Sequence, residues 1–132
     1  MHHAPVDDRR SDRAGRDRPA VTVLHRPDPG TRRLLREITA GMEEEGVPYR
    51  VEEAADGGDG ARELALAAAQ ASTLDVGIGV DAAGYICVHH AKLPPDAPAA
   101  AGPPSSARTM GHNAARLVVG IPFKQQEGPS HA

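Results

Sequence analysis

Three consecutive carboxylates, Glu43-Glu44-Glu45, are the residues of this sequence whose placement most needs a chemical cause. They close a segment of helical periodicity and stand directly before Gly46. The C-terminal end of a helix carries partial negative charge, so each acid there is disfavoured by roughly a few tenths of a kcal/mol. One reading is a fully solvated helix end. The other is that something positive sits against this turn, either a partner's Lys or Arg or a hard cation that takes oxygen ligands. Arg32-Arg33 lie a full helix length away and cannot neutralise it. Glu45 shares the apolar side with Ile38, which places one acid close to a buried or interface surface.

The remaining candidates read as structural. Gly77-Ile78-Gly79-Val80-Asp81-Ala82 fits the pattern G-x-G-x-x-A. That pattern binds dinucleotides where its glycines open a helix onto a pyrophosphate. Here the glycines lie inside an apolar run that leads to another strand, so they read as sites of close packing. His89 and His90 are neighbours, and on a strand they project to opposite faces, which keeps them from sharing a metal. Cys87 is the single cysteine and lies in an apolar run. It therefore reads as a buried, inert thiol, and it leaves no intramolecular disulfide and no thiolate-only zinc site. His112 and Asn113 are expected on an exposed polar face of the last helix. No nucleophile–base arrangement and no phosphate-cradling loop can be assembled, so the chain alone is expected to turn over neither ATP nor a substrate.

The elements that position these residues follow from a chain of 132 residues, enough for one domain. Tyr49, Tyr85 and Phe123 are its only aromatics, so the core must be built from Ala, Val, Leu and Ile. A net charge of −3 argues against non-specific nucleic-acid binding. No apolar run approaches the ~20 residues of a membrane span. The first residues lack an apolar signal region, which points to the cytoplasm.

Residues 1–18, rich in Arg and Asp, read as a disordered N-terminal extension, and 125–132 as a flexible C-terminal tail. Between them lies a folded domain, 19–124. It opens with a strand over Ala20–Leu24, broken by Asp28-Pro29-Gly30. A helix follows over Thr31–Glu45, with Leu34, Leu35, Ile38 and Met42 on one face. Gly46 supplies a left-handed stop and Pro48 follows it. A second strand fits Tyr49–Glu52. After the loop marked by Gly57, Gly58 and Gly60, an Ala-rich helix fits Ala61–Ala71. Leu74–Asp81 and Tyr85–His90 read as a β-hairpin. Pro94–Pro104 is expected to be an extended loop. The last helix is placed over Ser106–Val119, with Met110, Ala114, Leu117 and Val118 inward, ended by Gly120 and Pro122, and with Phe123 plugging an apolar edge. The order β-α-β-α-β-β-α predicts a single compact α/β domain with a mixed β-sheet and about three helices.

Four stretches together carry a resemblance: Ile38–Pro48 (ITAGMEEEGVP), Ala67–Gly79 (AAAQASTLDVGIG), Val88–Pro95 (VHHAKLPP) and Gly111–Phe123 (GHNAARLVVGIPF). They resemble the small subunits of diol/glycerol dehydratase reactivating factors, which belong to the dehydratase medium-subunit family. The resemblance implies a fold similar to the dehydratase medium subunit and a non-catalytic role in a chaperone-like complex. In that complex a large ATPase subunit hydrolyses ATP. The small subunit exchanges with its counterpart in an adenosylcobalamin-dependent diol or glycerol dehydratase, meeting the dehydratase's catalytic subunit transiently, so that damaged cobalamin leaves. The resemblance also implies that the middle acid of the triplet, Glu44, supplies a ligand to Mg2+ or Ca2+ at the interface with the large subunit. No cofactor is then bound by the chain alone, and neither nucleic acid nor membrane is a partner. The expected location is the cytoplasm or a microcompartment within it. The sequence departs from the family in the Pro/Ala-rich loop Asp96–Arg108 and at Val119, where the family often carries Lys. Two other readings compete: a structural medium or small subunit of the dehydratase itself, and a stand-alone small-ligand-binding domain using the Gly77–Gly79 region. The length of 132 residues favours the reactivating factor over the longer dehydratase subunit.

Overall fold

The computed structural model describes residues 18–55 and 60–120. Most of the expected N-terminal extension, Gly57 and Gly58, Pro122, Phe123 and the C-terminal tail lie outside the described residues. The elements run β1 (Val21–His25), α1 (Thr31–Glu45), β2 (Tyr49–Glu53), α2 (Ala61–Ala71), β3 (Val76–Val80), β4 (Ile86–His90), β5 (Ala100–Gly102), a 3₁₀ turn (Pro104–Ser106) and α3 (Ala107–Val119). The strands form one mixed sheet in the order β2-β1-β3-β4-β5. β1 is parallel to β2 and to β3, while β3–β4 and β4–β5 are antiparallel.

α1 ends where the sequence demands. Gly46 adopts φ 77°, its N–H donates to the Glu43 carbonyl at 3.0 Å, and the Val47 N–H donates to that of Met42 at 3.1 Å. Glycine bears this left-handed conformation without a Cβ penalty. The expected loop Pro94–Pro104 is corrected, because it contains β5. Ala100-Ala101-Gly102 carries neither strand propensity nor an alternating pattern. It pairs because the outer edge of β4 presents backbone groups that need partners, with Cys87 opposite Ala101.

The two faces of the sheet are filled differently. Val21 and Val23 of β1, Val76, Ile78 and Val80 of β3, and Ile86 and Val88 of β4 share one face. With Ile38 and Met42 of α1 and Met110 and Ala114 of α3 they build the main core. The residues between them in sequence, Gly77, Gly79 and Cys87, turn to the other face, where α2 packs. A Cβ on Gly77 would lie 2.1 Å from the Ala69 nitrogen, and one on Gly79 would lie 2.3 Å from the Ala61 carbonyl oxygen. These glycines therefore let helix backbone rest on strand backbone. The space that a ligand at Gly77–Gly79 would need is occupied by α2.

α1 and α3 also meet backbone to backbone. A Cβ on Gly111 would stand 2.0 Å from the Ile38 carbonyl oxygen, and one on Gly41 2.4 Å from that of Arg108. Two Gly positions on facing helices give this close crossing. It carries the polar side of α3 directly over the acidic end of α1.

Candidate functional site

The acid triplet at the end of α1 is distributed over three surroundings. Glu43 accepts a short hydrogen bond from the Tyr49 hydroxyl at the start of β2. Glu44 reaches α3 with both oxygens: Oε1 lies 2.7 Å from His112 Nε2, and Oε2 lies 2.7 Å from Arg108 Nη1. Glu45 turns inward, with Oε2 2.7 Å from His112 Nδ1 and 3.1 Å from Arg116 Nε. Arg108 Nε also lies 3.1 Å from Glu37 Oε1, about two turns up α1. Acids and cations thus alternate along the α1–α3 seam, in the order Glu37, Arg108, Glu44, His112, Glu45, Arg116.

This arrangement answers the helix-end question from within the chain. The positive charge against the last turn of α1 comes from α3, at Arg108, His112 and Arg116. The expectation of an exposed His112 and Asn113 is corrected, since both are buried. Crossing at Gly41 and Gly111 brings the helices close enough for the imidazole to be enclosed between two carboxylates. Carboxylate oxygens only accept, so each of the two His112 contacts needs an N–H on that ring nitrogen, and both together need the doubly protonated ring. Exposure grades along the seam: the His112 side chain is 10% exposed, Glu45 19% and Glu44 50%. Of the two acids that enclose His112, Glu44 is the one more open to solvent or a partner.

The electrostatics follow the contacts. The His112 hydrogen bond is the main cause that holds the Glu45 carboxyl below its ordinary 4.5, partial burial opposes it, and Arg116 adds to it. The Glu43 carboxylate raises the Tyr49 phenol above its ordinary 10, aided by burial, because an ionised phenol would lose that bond and face a like charge. Burial pushes the Cys87 thiol up to about 11, as expected of an inert core cysteine. His89 is fully buried, with Nδ1 3.0 Å from the His90 carbonyl oxygen and Nε2 3.3 Å from that of Pro95. It ties β4 to the following loop, and His90 does not join it.

Of the residues singled out in sequence, Glu43, Glu44, Glu45 and His112 come together, and Gly77, Gly79, Cys87 and His89 belong to packing. Arg108 and Arg116 were not among the candidates. Their signal was the spacing Arg108-x3-His112-x3-Arg116, which sets three cationic side chains on one helical stripe. Among the described residues no group of three or more His, Cys, Asp or Glu could hold a metal ion. Glu43 and Glu44 are both exposed, and either can offer only one carboxylate toward a cation whose other ligands come from elsewhere. Among the described residues no helix is long and apolar enough to cross a membrane.

Residues 18–124 match the family model of the dehydratase medium subunit. The "Probable glycerol dehydratase-reactivating factor small subunit" of Citrobacter freundii is 41% identical over 97 residues, which cover 70% of this chain and 82% of that protein. The diol dehydratase-reactivating factor small subunit of Klebsiella michiganensis is 40% identical over 95 residues, covering 69% and 74%. Among solved structures, a glycerol dehydratase reactivase chain superposes with a TM-score of 0.75 at 39% identity, covering 81% of this chain and 97% of that one. A diol dehydratase-reactivating factor complexed with ADP and Mg2+ gives 0.68 at 37% identity, covering 81% and 98%.

Proposed function

Because the chain belongs to the dehydratase medium-subunit family, we propose that it is the small, non-catalytic subunit of a dehydratase-reactivating factor. The observation that carries this reading is the near-complete match to reactivase chains, 97% and 98% of whose length is covered at close to 40% identity. In this reading the domain 19–124 carries the role, and the extension 1–18 is dispensable for folding. A larger ATPase subunit is the standing partner, and a diol or glycerol dehydratase is the transient one. The small subunit exchanges with its dehydratase counterpart and loosens that enzyme, so that damaged cobalamin leaves. The solved relative held ADP and Mg2+. The nucleotide belongs to the larger partner in this reading, which agrees with a sequence that offers no phosphate-cradling loop. The complex then works where the dehydratase is, in the cytoplasm or a microcompartment.

Within this proposal Glu44 is the contact residue, placed to share Mg2+ or Ca2+ with the large subunit. Its chemistry fits in that it is half-exposed and carries carboxylate oxygens, which in the free chain are held by Arg108 and His112. A single carboxylate binds such ions weakly, because they take six or more oxygens, so the partner must supply the rest. In the free chain Arg108 occupies Glu44 Oε2. An ion pair this exposed contributes little, and Arg108 retains Glu37 if it lets go.

The test is reconstitution with a reactivase large subunit. The pair, with ATP, Mg2+ and fresh adenosylcobalamin, is expected to restore an inactivated diol or glycerol dehydratase. Glu44→Gln is expected to weaken the pair by roughly tenfold in Mg2+, equivalent to about 1.4 kcal/mol, and hardly at all in chelator. Glu43→Gln is expected to matter less. No complex and no restored activity would refute the subunit reading. A normal complex indifferent to chelator and to Glu44→Gln would refute the cation role alone.

A further inference from the structure

β2 is an edge strand. β1 pairs one side of it, and among the described residues nothing pairs the other. Its distal half is open, with Val51, Glu52 and Glu53 exposed. The backbone register shows which groups face outward. The Val21 N–H donates to the Pro48 carbonyl at 3.0 Å, and the Ala54 N–H donates to the His25 carbonyl at 2.8 Å. Between these points the ladder runs from Val21 opposite Tyr49 to His25 opposite Glu53. Alternation along the strand turns the N–H and C=O of Arg50 and Glu52 toward β1 and those of Tyr49, Val51 and Glu53 toward the open edge.

We propose that this edge is a self-association surface. Two copies of the chain pair β2 with β2, antiparallel, about a two-fold axis at Val51, and continue one sheet into the other. In that register Val51 faces Val51 of the second copy and Tyr49 faces Glu53 of the second copy. These are the residues whose backbone groups point outward, so each pair exchanges both of its hydrogen bonds. On the opposite side of the strand Arg50 then faces Glu52 of the second copy, and Glu52 faces Arg50 of the second copy. Moving the axis to Arg50 or to Glu52 sets like charges against each other, which is unfavourable for directly opposed residues.

Charged residues on an edge strand ordinarily deter pairing. In Tyr49-Arg50-Val51-Glu52-Glu53 the basic and acidic residues flank Val51 symmetrically with opposite sign, so among the two-fold antiparallel registers centred on these three residues only the one at Val51 pairs them favourably. Pairing also removes Val51, 38% exposed, from water. A five-residue strand buries less than a standard interface, so the dimer is weak, reversible and concentration-dependent. Tyr49 at the start of this strand bonds Glu43, but Glu44 takes no part in the pairing, so the proposal stands whether or not the cation role holds.

The test is sedimentation equilibrium of the full chain from micromolar to millimolar concentration, for wild type, Arg50→Glu, Glu52→Arg and the double reversal. Wild type is expected to dimerise, and each single reversal to weaken dimerisation by about tenfold or more, since it opposes like charges twice across the axis. The double reversal is expected to restore the dimer. Hydrogen exchange on the unmutated chain gives a second readout: the outward amides of Val51 and Glu53 should gain protection with concentration. A chain that stays monomeric throughout overturns the proposal, as does a dimer indifferent to the reversals or one that the double reversal does not rescue. A chain that stays monomeric but loses affinity for the large subunit on reversal assigns the edge to that partner and also overturns it.

Discussion

Replacing Gly111 by alanine puts the α1–α3 crossing to a quantitative test. The added Cβ would stand 2.0 Å from the Ile38 carbonyl oxygen and 2.9 Å from its carbon, and ordinary contact begins near 3.4 Å. The obstacle is helix backbone, which cannot swing aside as a side chain would, so the helices must part by about 1.4 Å. Overpacking a filled core costs about 1–3 kcal/mol, and a backbone obstacle belongs at the upper end. Alanine returns about 1 kcal/mol through its better helix propensity. The net loss is about 2 kcal/mol, which in a domain of this size lowers the thermal midpoint by roughly 8–16 °C. The same separation lengthens the two 2.7 Å bonds of His112 past hydrogen-bonding distance, so Glu44 should lose its steering along with the fold's stability. Thermal melts followed by circular dichroism measure it, with Gly30→Ala as the control. At Gly30 φ is −74° and the nearest atom to a new Cβ is the tip of Asp28 at 3.4 Å, so that melt should barely move. A Gly111→Ala chain that melts at or above wild type would refute the close crossing.

Glu45 has its carboxyl held low in the folded chain, so its contribution is complete above about pH 4.5 and is lost as pH falls through the lowered value. Glu45→Gln should therefore be less stable at neutral pH, and its melts should converge with wild type in acid. Parallel profiles at all pH values would contradict the His112 and Arg116 pairing. Cys87, pushed up to about 11 and buried, should resist thiol reagents at pH 8 in the folded chain and react fully in denaturant. Rapid labelling without denaturant would place it at the surface.

Both boundaries of α1 and the start of α2 were legible because glycine and proline punctuate them. The β1 and β3–β4 runs were legible from their valines and isoleucines. β5 was not, because Ala100-Ala101-Gly102 is recruited by the unsatisfied edge of β4 and has no pattern of its own. The acid triplet stood out against helix electrostatics, and its oddity was real. What answers it could not be read locally, since Arg108, His112 and Arg116 lie more than sixty residues away and look like an ordinary polar stripe. The clue that joins them is carried by Gly41 and Gly111, which in sequence are two glycines inside helices. Their sense appears only when the helices are laid across each other.

The unlike filling of the two sheet faces sets how freely this protein can diverge. On the face of α1 and α3, the strands make contact through Val and Ile side chains, which exchange for one another at small cost as long as volume is kept. On the face of α2, Gly77 and Gly79 meet the backbone of Ala61, Ala65 and Ala69, and nothing there can shrink to admit a larger neighbour. Saturation mutagenesis should therefore find the first face permissive among aliphatics, and Gly77 and Gly79 on the second closed even to alanine. Across distant relatives, the alanine helix and the two-glycine strand should drift only together.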